Sequence, residues 1–138
     1  MRLLRSLLRW PALTALAALT PGCNDGMDSS TLPECSAAVN LSVGSGTTPV
    51  LNWAPACRLF LVLVEDPTGT GDQWGVLSDS SNGIQPPVRY GTVPEGATKE
   101  ALPPTPLQSG HEYRLIVFRF TGPGHEDGEL IGQATFTP

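Results

Sequence analysis

Leu107-Gln-Ser-Gly-His-Glu-Tyr-Arg-Leu-Ile-Val-Phe-Arg-Phe120 is the stretch whose reading decides the fold. It joins a corner to a strand. Gly110 suits a turn position with positive φ, and Leu107 supplies an apolar floor beneath it. Tyr113 then opens a run in which successive side chains point to opposite faces. A tyrosine at the start of such a strand folds its ring over the preceding corner. Its hydroxyl bonds backbone a few residues upstream, as in the tyrosine corners of Greek-key sandwiches. With Tyr113 turned inward, Leu115 and Val117 follow it into a core, and Arg114, Ile116, Phe118 and Phe120 face outward.

The remaining strands are placed around this one. Val39, Leu41 and Val43 alternate with Asn40 and Ser42, and Gly44-Ser-Gly46 turns the chain into Val50–Trp53. Arg58–Glu65 is apolar at every position from Leu59 to Val64, a pattern of burial on both faces or of one face at an interface. Gln73–Leu77, Val88–Tyr90 and Lys99–Leu102 read as shorter strands, and Leu130–Phe136 follows a Gly-rich loop over Thr121–Asp127. With 15 Gly and 14 Pro in 138 residues, turns are frequent and long helices are disfavoured. Short strands with regular turn signals predict an all-β antiparallel sandwich of about seven strands, as one domain over residues 35–138.

The pattern Leu107-x-x-Gly110-x-x-Tyr113 resembles the fibronectin type III family, an immunoglobulin-like β-sandwich. Pro49-Val-Leu-Asn-Trp53 is similar to that family's strand B with its core tryptophan, and the likeness covers about residues 37–138. The family usually has proline before the corner glycine, where this chain has Ser109. The resemblance implies that Cys35, before strand A, and Cys57, at the start of strand C, lie at the same end of the sandwich and form a disulfide. It says little about function, because the fold serves many unrelated partners.

Residues 1–22 read as an export signal. Arg2, Arg5 and Arg9 form a basic region, and Ala12–Leu19 is an apolar stretch too short to span a bilayer. No Arg-Arg pair is present, which points to the general secretory route. The ending Leu19-Thr-Pro-Gly-Cys23 resembles a bacterial lipoprotein signal, which implies acylation (palmitate among the chains) at Cys23 as the first mature residue. Ordinary secretory cleavage near Ala15-Leu-Ala17 is the alternative. Lipidation of Cys23 leaves Cys35 and Cys57 as an even pair, as an oxidising compartment favours. Residues 23–34 are polar and unpatterned and read as a flexible tether. Asn24 after the cysteine resembles an outer-membrane address, so the expected location is the cell envelope, with the membrane engaged through the Cys23 anchor.

Removing the signal removes three of the 8 basic residues and none of the 13 acidic ones, leaving a formal charge of −8. An acidic surface repels phosphate backbones, which argues against nucleic-acid binding. No G-x-S-x-G elbow, H-E-x-x-H pair or P-loop occurs. His111 reads as part of a solvated turn, and His125-Glu-Asp127 as an acidic loop, since neighbours on a hairpin rarely converge on one ion. Asp66 and Asp72 flank a Gly/Thr turn whose spacing matches no EF-hand. No enzyme activity, cofactor or metal is expected.

Two function classes follow. One is a non-catalytic envelope module for structural or protein-interaction roles, with an envelope protein as partner. The other is a ligand-binding module for carbohydrate or a small molecule, working through Trp74 and Tyr90. Outward apolar residues bear on the first. Ile116, Phe118 and Phe120 would mark an interaction face, joined by Leu59, Leu61 and Leu63 or by Phe60, Val62 and Val64. Alternatively, the segment 73–102, with Trp74 and Tyr90, folds back over that face. Aromatics in a concave exposed site would favour ligand binding, and aromatics buried between the sheets an interaction module.

Overall fold

The computed structural model describes residues 32–138 apart from 70, 80 and 123–127. The proposed signal, Cys23 and most of the tether lie outside the described residues, as does His125-Glu-Asp127. Among the described residues every regular element longer than a turn is a strand: β1 (Asn40–Val43), β2 (Val50–Ala54), β3 (Leu61–Asp66), β4 (Gly71–Leu77), β5 (Val88–Arg89), β6 (Lys99–Leu102), β7 (Tyr113–Phe120) and β8 (Gly128–Phe136). They form two packed antiparallel sheets, β1-β2-β5 and β6-β4-β3-β7-β8. Over the described residues the fold is an all-β sandwich of eight strands.

Strand alternation builds the core. Leu51 and Trp53 of β2 face Val62 and Val64 of β3, Trp74 and Val76 of β4, and Tyr113, Leu115 and Val117 of β7, all buried in one cluster. Removing each aliphatic side chain from water contributes about 1.5–3 kcal/mol. The indole Nε1–H of Trp53 donates to the Cys57 carbonyl at 2.8 Å, so the buried ring brings a satisfied polar group with it. On β8 a bulge opposite Val117 and Phe118 sends Ile131 inward, where its carbonyl accepts the Val39 N–H at 2.9 Å. Gly132 is needed beside it: a Cβ there would come within 3.0 Å of side-chain carbons of both Val39 and Val117.

The strand expected over Arg58–Glu65 divides at Phe60. Arg58 bridges Glu34 and Leu59 bridges Ile84, while the regular ladder begins at Leu61. A bend at Phe60 breaks the alternation. Leu59 therefore enters the core, and the Phe60 ring packs 5.2 Å from Phe120 instead. Of the two expected outward sets neither holds as a whole: Leu61 and Leu63 lie on the outer face and Phe60 packs on the outward Phe120, while Leu59, Val62 and Val64 are in the core.

The chain between β4 and β6 closes the side of the sandwich. Ile84, Val88 and Tyr90 join the core cluster, β5 pairs with β2, and β6 returns to the far edge of β4. Trp74 and Tyr90 therefore lie between the sheets and not over the outer face of β3 and β7. The residues from Leu32 to Glu34, read from sequence as the last of the tether, are held by Arg58. Its N–H donates to Pro33 O at 2.8 Å and its Nε to Leu32 O at 2.7 Å.

Candidate functional site

The Cys35–Cys57 disulfide is present, spanning 4.9 Å between Cα atoms. Closing a 22-residue separation restricts the unfolded chain by about 3 kcal/mol in the chain-entropy view. Around it the chain entrance is fastened to the end of β7. Asn82, 3% exposed, uses its amide like a strand partner: it accepts from Phe120 N at 2.7 Å and donates to Phe120 O at 3.1 Å. The same amide nitrogen lies 3.2 Å from Glu34 Oε2. Arg119 pairs with Glu129 and donates to the Ser36 carbonyl. The sequence carried no signal for Asn82, which acts through backbone 38 residues away.

At the opposite end lies the corner. Tyr113 is buried, and its hydroxyl accepts a hydrogen bond from Gln108 N at 2.9 Å. Leu107 is buried beneath it, and Gly110 adopts φ +81°. The Gly110 N–H donates to Pro138 O at 3.1 Å, which ties the corner to the end of the described chain. His111 is not a free turn residue. Its Nε2 lies 2.9 Å from Asp66 Oδ2, and its ring is 4.9 Å from that of Tyr113. Asp66 occupies the inward register of Val62 and Val64, and its other oxygen accepts from Thr68 N and Oγ1 at 2.8 and 2.6 Å. The sequence signal was available: extending the β3 alternation by one residue places Asp66 inside, where a carboxylate needs partners. The resulting link pins the corner to β3. Asp66, Asp72 and His111 share one open recess, but no group of three His, Cys, Asp or Glu suited to a metal occurs among the described residues.

Trp74 and Tyr90 meet at 5.2 Å between ring centroids, fully and almost fully buried. Trp74 Nε1 donates to Glu100 Oε1 at 3.1 Å. The Tyr90 hydroxyl is directed at Thr105 O, 2.5 Å away, with Gln73 O at 3.3 Å. Burial pushes the Tyr90 pKa up to about 12, reinforced by the neighbouring Tyr113 and opposed by the bond to Thr105.

The outer face of the five-stranded sheet brings Ile116 between Leu63 and Gln133, and Phe118 between Leu61 and Leu130. Leu61, Leu63, Ile116 and Phe118 are half-buried, whereas Gln133 is exposed and Leu130 is 49% exposed. Leu63 also lies over Gly75, where a Cβ would come within 3.0 Å of it. Phe120 sits opposite Gly128 with its ring on Phe60. An ion pair between Arg114 and Glu65 bounds this apolar surface toward the corner. Compared with protein-family models, curated proteins and solved structures, the chain gives no match in any of the three.

Proposed function

We propose that this chain is an exported bacterial lipoprotein, anchored through acylated Cys23 in the cell envelope, at the outer membrane. Its fibronectin type III-like sandwich is a non-catalytic module that docks another envelope protein. The family likeness is supported by the Tyr113 hydroxyl on Gln108 N and by the pairing of β4, β3, β7 and β8 in that order. The short β6 on the outer edge of β4 is a departure from a seven-strand plan.

One observation carries the interaction reading over ligand capture by aromatics. Trp74 and Tyr90 are packed between the sheets, whereas Leu61, Leu63, Ile116, Phe118 and Leu130 line the outer face. A solvated face of an antiparallel sheet ordinarily carries polar residues. An apolar strip bounded by the Arg114–Glu65 pair fits the apolar core and polar rim of a protein interface. The occupant is therefore a partner with an apolar patch of its own.

Two variants test the two halves. Cys23→Ser should release the protein from membranes or block its processing; membrane fractionation and mature mass equal to wild type would refute the anchor. Phe118→Ser should leave the domain folded while abolishing co-purification of an envelope partner after crosslinking in cells. Unaltered co-purification, or outright unfolding of the variant, would remove the docking face from the proposal.

A further inference from the structure

The end of the sandwich remote from the disulfide holds an open recess of about 470 Å³ between the β1–β2 turn, the residues after β5 and the segment before the corner. That volume falls in the range of small-molecule sites, about 300–1,000 Å³. Its apolar wall is Tyr90, Pro104, Pro106 and Leu107, and threonines complete the rim. Among the described residues no carboxylate lines it, and the one charged group there is Arg89.

Arg89 differs from the other arginines among the described residues. Arg58 pairs with Glu34, Arg114 with Glu65 and Arg119 with Glu129. Arg89 has no carboxylate among the described residues; its Nη1 donates to the Thr48 carbonyl at 3.3 Å. A guanidinium offers five donors in a fixed fork suited to a carboxylate. In a chain with 13 acidic residues against 8 basic ones, this fork stands at a recess that no carboxylate of the described residues lines. Among the described residues Arg89 is exposed.

We propose that the recess binds a small monocarboxylate with a short apolar body. The carboxylate lies on Arg89, and the apolar part lies mainly against the exposed Pro104 and Pro106, with the almost fully buried Tyr90 and Leu107 behind them. A single guanidinium beside apolar walls suits one negative charge with a hydrocarbon tail better than a phosphate, which draws on several donors. This goes beyond the docking role proposed above and does not depend on it, since the two surfaces lie on different parts of the sandwich.

The test is a titration of the ¹⁵N-labelled full exported chain with hexanoate, hexanol and inorganic phosphate, followed by amide shifts. Hexanoate should shift Thr48, Arg89, Gly91 and Thr105 saturably, with a dissociation constant on the order of 1 mM. Hexanol and phosphate should bind about tenfold more weakly or not at all. Arg89→Gln should weaken hexanoate about tenfold while leaving the rest of the spectrum unchanged, because the side chain is exposed. Thr47→Glu, which brings a carboxylate to the rim, should do the same. Unsaturated shifts up to about 50 mM hexanoate, equal binding of hexanol or phosphate, or undiminished binding by both variants would overturn the proposal.

Discussion

Replacing Tyr113 by Phe isolates one hydrogen bond. The phenyl ring keeps its place beside His111, at 4.9 Å, and Phe136, at 5.9 Å, and remains buried with Leu115 and Val117. The loss is the hydroxyl that accepts Gln108 N–H at 2.9 Å. A typical intramolecular hydrogen bond contributes about 0.5–1.5 kcal/mol net, and a donor left dry would add a desolvation penalty. Gln108 is exposed, so water can reach its N–H and the penalty stays small. We expect a destabilisation of about 1 kcal/mol. For a domain of this size that lowers the thermal midpoint by about 4–6 °C. Urea unfolding followed by tryptophan fluorescence should show a lower midpoint at an unchanged slope. An unchanged midpoint would mean that the corner does not use the hydroxyl. A loss above about 3 kcal/mol would mean that the ring itself had moved, since truncating a buried aromatic to Ala costs about 3–5 kcal/mol.

Replacing both Cys35 and Cys57 by Ser should cost about 3 kcal/mol, and non-reducing peptide maps of the exported protein should contain the linked pair; two free thiols in that material would contradict the bridge. Tyr90 gives a pH prediction. Its folded pKa is raised from 10.0 to about 12, so the stability it contributes is fully present below pH 10 and is lost as pH rises through about 12. Tyr90→Phe should flatten that alkaline part of the stability profile in urea titrations; a profile as steep as wild type would locate the alkaline transition elsewhere.

Local chemistry made much of this molecule legible from its residues alone. The corner, the alternation of Tyr113, Leu115 and Val117 and the Gly- and Pro-marked turns depend on neighbours in the chain or on a period of two, and they sufficed for an all-β sandwich; the Cys35–Cys57 bridge, which joins positions 22 apart, was expected only through the resemblance that puts both cysteines at one end of it. Other features required the tertiary structure, because their partners are distant in sequence. Phe60 looked like one more residue of a continuous strand. Its role is set by a bend that sends Leu59 to the core and the Phe60 ring to Phe120. Asp66 and His111 looked like turn residues, and 45 positions separate two groups that meet at 2.9 Å. Whether Trp74 and Tyr90 covered the outer face or filled the core was open in the sequence, since either placement satisfies their apolar rings. The crossing of the 78–98 segment to β2 decided it, by carrying Tyr90 between the sheets onto Trp74 and leaving Ile116, Phe118 and Leu130 on the outside.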